Sequence, residues 1–195
     1  MKRILLLVTG LVMFGLTAAT ANDTNPPHGG EVDVKASTIT WVGEKVVGKH
    51  SGTLNLKSGG LKFENHQLVG GHFIIDMTSL ACTDLQAGRG KEKLEGHLKS
   101  ADFFQVEDFP TAEFIMTEAQ NMGGSKYKLI GNLTIKGETN PIEFEAEVKV
   151  GSATAVIDVD RTIYGIKYGS GSFFDNLGDK AIDNTFQLTV NLVLK

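Results

Sequence analysis

From Ile142 to Val150 the chain alternates without a break. Ile142, Phe144, Ala146, Val148 and Val150 fall on one face, and Glu143, Glu145, Glu147 and Lys149 on the other. A period of two belongs to an extended strand, whose successive side chains point to opposite sides; it cannot lay a single apolar stripe along a helix. The pattern returns near the C-terminal end, where Phe186, Leu188, Val190, Leu192 and Leu194 oppose Gln187, Thr189 and Asn191. Shorter versions occur at Thr38–Val42, Thr53–Lys57, Gly71–Met77, Ala112–Thr117, Lys128–Lys136 and Ala155–Asp160. The expected total is about eight strands. Turn-forming residues separate many of them: Ser58-Gly59-Gly60, Glu64-Asn65-His66, Asn121-Met122-Gly123-Gly124 and Gly137-Glu138-Thr139-Asn140-Pro141.

Many antiparallel strands with one apolar face must hide that face and dispose of their edges, and closing the sheet does both. The expectation is an all-β protein, an antiparallel, lipocalin-like closed barrel. One stretch departs from it: Gly90 to Phe104 places Leu94, Leu98 and Ala101 at helical spacing, and Pro110 discourages extension. A short helix packed over one end of the barrel accounts for Leu94, Leu98 and Phe103. An interior of about eight strands is either filled by side chains or able to hold one small ligand. The small residues Ala112, Gly131, Ala146 and Ala155, set among Phe73, Phe114, Phe144 and Phe186, leave both arrangements open.

The chain begins with Lys2 and Arg3, continues through an almost wholly apolar Ile4–Leu16, and then presents Ala19-Thr20-Ala21. That is the layout of a secretory signal peptide with cleavage near Ala21. The apolar run is short for crossing a hydrocarbon core of roughly 30 Å. Residues 1–21 are therefore expected as a signal peptide, 22–30 (polar, rich in Pro and Gly) as a flexible arm, and 31–195 as one domain, periplasmic or secreted. The net charge of −4, made more negative by loss of Lys2 and Arg3, argues against a phosphate-backbone binder, so no nucleic acid partner is expected. Cys82 is the only cysteine; no internal disulfide can form, and a buried structural thiol is the expectation.

Catalytic motifs are missing. There is no HExxH, no CxxC and no GxSxG; Gly169-Ser170-Gly171-Ser172 lacks the glycine that should follow the serine. Gly43 to Lys49 imitates a phosphate-binding loop but then supplies His50 where Ser or Thr is needed. His50, His66, His72 and His97 show no i, i+4 pairing of metal ligands. The sequence thus calls for no enzyme activity, no metal and no cofactor.

Between the last two alternating segments lies Asp160–Asp183, DRTIYGIKYGSGSFFDNLGDKAID, Gly-rich yet carrying Tyr164, Tyr168, Phe173 and Phe174. This segment resembles the matching region of the YceI-like family, lipocalin-like periplasmic proteins known for binding polyisoprenoid lipids. Leu94–Thr117 resembles the family's helix-to-strand signature, and Gly48–Leu80 resembles it more weakly. Together the resemblance covers nearly all of the chain after about residue 31. It implies an elongated apolar tunnel holding a long-chain amphiphile: a polyisoprenoid, quinone-like or fatty-acid-like lipid. The positions expected to line such a tunnel are Trp41, Phe73, Ile75, Phe114, Leu133 and Ile135, then Phe144, Ile157, Phe186, Leu188 and Val190, with Phe173 and Phe174. Arg161, Lys167 and Tyr168 are the expected donors to a head group at the rim. Phe173 and Phe174 fit two roles, a lid swinging on Gly169 and Gly171, or fixed core plugs. Each buried methylene is worth roughly 0.8 kcal/mol, so about twenty carbons could contribute up to ~16 kcal/mol before ordering costs. Transient contact with a membrane surface fits such a carrier. Monomer and homodimer both remain open. The alternatives are an envelope interaction module with a filled barrel, or a lipid-modifying enzyme.

Overall fold

The computed structural model describes residues 30–195; the expected signal peptide and all of the arm except Gly30 lie outside them. Eight strands follow one another around a closed antiparallel barrel: β1 (Thr38–Lys45), β2 (Lys49–Glu64), β3 (Gln67–Cys82), β4 (Thr111–Gly123), β5 (Lys126–Ile135), β6 (Glu138–Lys149), β7 (Ser152–Asp160) and β8 (Ile182–Val193). Each strand pairs with its neighbours in sequence, and β1 closes the ring on β8 through Thr38↔Asn191 to Lys45↔Ile182. The circuit leaves no fully unpaired strand at an edge, as closure requires.

At the end where β1 gives way to β2, here the upper end, lie the two long connections, 83–110 and 161–181. The first carries α1 (Lys91–Lys99), the single α-helix among the described residues. It is shorter than the 90–104 stretch expected. Ser100 adopts an extended backbone and its hydroxyl donates to the His97 carbonyl, so the helix stops ten residues before Pro110 could stop it. Phe103 and Phe104 follow in turns, Phe103 buried. The lower end carries short turns, and Asn65-His66, both at positive φ, form the two-residue hairpin expected there. Gly30 does not belong to a loose arm. Its carbonyl accepts the Leu61 amide at 2.8 Å, and Glu31 bridges to Gly60.

β2 and β3, at 16 residues each, are far longer than their expected cores. Ser58-Gly59-Gly60 is not a turn but lies within β2, beside a register shift between Leu56 and Ser58. Gly59 pairs with Phe73, whose ring occupies the space a Cβ would need. Gly52 lies in the same way beneath the Trp41 ring. Both glycines let an aromatic ring fold across the neighbouring strand, the arrangement that stabilises a glycine within a sheet. The remaining two expected turns shrink likewise. β4 runs on through Asn121–Gly123, and β6 begins at Glu138 and includes Pro141.

Candidate functional site

Inward-facing residues of the barrel enclose a cavity of about 130 Å³, apolar except for Thr154 in its wall. Ten of the expected tunnel positions line it: Phe73, Ile75, Phe114, Leu133, Ile135, Phe144, Ile157, Phe186, Leu188 and Val190. Phe114 anchors an aromatic band, its ring 6.4 Å from Phe73 and 5.4 Å from Phe144. The interior is therefore not filled. Sequence reasoning passed over Ile39, Leu54, Leu56, Met77 and Leu129, which also line the cavity; the same alternation marks all five. Phe104 lines it too, but its position beyond the helix left no periodic signal.

A second cavity, about 140 Å³, sits at the upper end between the barrel rim, α1 and the loop after Phe103. Trp41 lines this one rather than the first, and its indole Nε1–H is buried with no hydrogen-bond partner among the described residues. The two cavities share Leu54, Phe104, Phe186 and Leu188. The rim of the upper cavity includes Glu44, Lys45, His50 and Asp183.

Of the expected head-group donors, Arg161 alone lines a cavity, the upper one, and it does so as a buried side chain rather than at an open rim. Arg161 is 3 % exposed and already committed. Its Nε donates to the Asp183 carbonyl at 2.9 Å, and its two terminal nitrogens donate to the Ile166 and Ile182 carbonyls at 2.8 and 3.0 Å. Burial pulls its pKa below the ordinary arginine value, against the opposing pull of Asp160 and Asp183. The guanidinium thus ties the end of β7, the following loop and the start of β8 together. Lys167 holds its ammonium 4.7 Å over the Phe173 ring. Tyr168 packs edge-on against His97, centroids 4.5 Å apart, and lines neither cavity.

Phe173 and Phe174 are 47 % and 51 % exposed and line neither cavity. They are not core plugs, and the tunnel wall does not include them. The cause is Ser170: fully buried, it donates its hydroxyl to Asn184 Oδ1 at 2.6 Å and accepts the amides of both phenylalanines on its carbonyl. That pinned turn aims the two rings outward.

Cys82 is fully buried, and burial and Asp84 both raise its pKa, the thiol Sγ lying 3.1 Å from Asp84 Oδ1. A thiol so placed stays protonated and inert. Among the described residues no three His, Cys, Asp or Glu side chains come together as a metal site.

The family model described as the YceI-like domain matches residues 31–194. Among curated proteins, a UPF0312 protein of Photorhabdus laumondii is 42 % identical over 52 residues, 27 % of this chain and 27 % of that protein. A UPF0312 protein of Vibrio cholerae is 27 % identical over 96 residues, 49 % of this chain and 48 % of that protein. These matches span a quarter to a half of the relatives' own length. Among solved structures, Burkholderia cenocepacia BcnA superposes with a TM-score of 0.65 at 21 % identity, covering 83 % of this chain and 98 % of that one. A polyisoprenoid binding domain from Saccharophagus degradans gives a TM-score of 0.61 at 13 % identity, over 85 % of this chain and 97 % of that one. At such identities the likeness is one of fold.

Proposed function

This chain belongs to the YceI-like domain family, and on that premise we propose that its barrel is a binding site for the apolar tail of a long-chain amphiphile. The observation that carries the proposal is the unfilled apolar lumen of the barrel, whose lining shares Leu54, Phe104, Phe186 and Leu188 with the upper cavity. A filled interaction module needs no such space. The polyisoprenoid-binding fold neighbour points to the same ligand class.

The size of the site sets the energetics. A cavity of about 130 Å³ is on the scale of the roughly 150 Å³ engineered cavity that accepts benzene. In the conformation described, the barrel therefore takes about six carbons, worth ~5 kcal/mol at roughly 0.8 kcal/mol per methylene. A longer tail must occupy the upper cavity as well or displace side chains from the lumen. The ~16 kcal/mol expected for twenty carbons requires such expansion. No catalytic group is needed for holding a tail, and the protein acts as a carrier, store or sensor rather than an enzyme. The signal-peptide layout of residues 1–21 supports work outside the cytoplasm, with transient contact at the membrane that supplies or receives the lipid.

Titration with cis-parinaric acid, a linear fatty acid that fluoresces in apolar surroundings, tests the proposal. The expected result is a saturable rise with one site per chain. A linear, unsaturable response would contradict it.

A further inference from the structure

β6 and β7 pair only from Ala146↔Ala155 to Lys149↔Ser152. Beyond Ala146↔Ala155, residues 138–145 of β6 are bonded to β5 alone, and residues 156–160 of β7 to β8 alone. The seam between them is closed at the upper end by one side-chain bond, Asn140 Nδ2 donating to the Ile163 carbonyl at 3.1 Å. What remains is an unpaired seam, here called the slit, along Pro141–Glu145, about 17 Å long at roughly 3.3 Å per residue.

Burial changes where the ladder stops. Along β6, Ala146 and Val148, within the paired part, are buried, whereas Ile142 and Phe144, beyond it, are only half-buried although they line the same cavity. The cavity-lining residues of β4 and β5 are all buried. Half-burial also marks the cavity-lining Leu54, Ile75, Phe186, Leu188 and Val190 on β2, β3 and β8, so the break in the ladder, not burial alone, singles out β6 and β7. Pro141 has no amide hydrogen to offer a ladder.

Resting on the binding reading above, we propose that this slit is the ligand's portal: an uncharged aliphatic chain passes sideways between β6 and β7 into the lumen. Two further observations favour the side over the top. The way down from the upper cavity is occupied by Phe104 and Phe186, packed edge to face, so a chain entering there must move a ring. The outer lips of the slit carry Glu143, Glu145, Asp158 and the exposed Val156. Lys128 pairs with Glu143 at 3.0 Å, and the carboxylates of Glu145 and Asp158 disfavour an anionic head group but leave an apolar chain free to pass.

Extending the register past Ala146↔Ala155 brings Glu143 opposite Asp158, both exposed. The test joins them: Glu143→Cys with Asp158→Cys, linked by a short bismaleimide, with buried Cys82 out of the reagent's reach. The control links Ile115→Cys to Asn132→Cys across the fully paired β4–β5 ladder. Linking the seam should slow cis-parinaric acid uptake and release by about tenfold or more, while the control link leaves both rates unchanged. Unchanged rates in the seam-linked protein overturn the portal and leave the binding reading standing. No uptake by the unaltered protein removes both. If the double variant does not fold, Asp158→Cys carrying a maleimide–polyethylene glycol adduct obstructs the slit instead, with the same two outcomes.

Discussion

Phe104 and Phe186 meet edge to face, ring centroids 6.1 Å apart, at the boundary between the upper and lower cavities. One comes from the connection after α1 and the other from the start of β8, so the junction depends on how the upper connection sits on the barrel. Removing one ring joins the two spaces.

For Phe104→Ala the account predicts greater room for a tail and a modest loss of stability. Phe104 is half-buried, so the cost is about 2 kcal/mol, less than the roughly 3–5 kcal/mol of a fully buried phenylalanine. Chemical denaturation measures the stability. Titration with fatty acids of increasing length checks the room, and affinity should rise for the longer chains.

Phe144→Asp places a carboxylate in an apolar lumen at a cost of several kcal/mol. Retention of cis-parinaric acid should fall sharply even in the fraction that stays folded, as read by fluorescence after size-exclusion chromatography. Full retention there would count against Phe144 facing a ligand.

Arg161→Lys should lower the melting temperature strongly. A single ammonium cannot replace three fixed donations to the carbonyls of Asp183, Ile166 and Ile182, and each carbonyl left unpaired costs about 1–3 kcal/mol. Thermal melts read the loss. A nearly unchanged melt combined with weakened binding of an anionic lipid would restore the head-group role.

Replacing Phe173 and Phe174 by Ala should change neither the melting temperature nor the rate of probe release appreciably. Both rings are half-exposed and outside the cavities. Faster release in stopped-flow mixing would reinstate them as a lid.

Acid should reveal Asp84. Burial works to raise its carboxyl, but bonds from the Ser51 amide, the His50 ring and the Cys82 thiol outweigh it and hold the pKa at about 2 instead of 3.8. A depressed carboxylate contributes stability above its unfolded value, lost as pH falls from 3.8 towards 2. Urea midpoints across that window should fall less steeply in Asp84→Asn than in the unaltered protein.

What the sequence revealed follows from which forces are local. Eight strands were legible because each must alternate to keep one face in the lumen, and Ile142–Lys149 does so without exception. Gly59 misled because a glycine reads as a turn unless one sees the Phe73 ring above it, 14 residues away. Arg161 misled for a similar reason: three backbone carbonyls converge on it, two of them after a loop of some twenty residues. Phe173-Phe174 suggested a covered site, but the turn built on Ser170 decides where the rings point. The β6–β7 slit had one local sign, Pro141 inside an otherwise regular strand.

Whether the barrel holds a lipid tail is read by native mass spectrometry of the protein purified without detergent, with extraction of any bound lipid. The account predicts a species heavier than the bare chain, whose excess mass is lost on organic extraction and recovered as an aliphatic amphiphile. A single species at the mass of the bare chain, unshifted after incubation with a long-chain fatty acid or an isoprenoid, would contradict it.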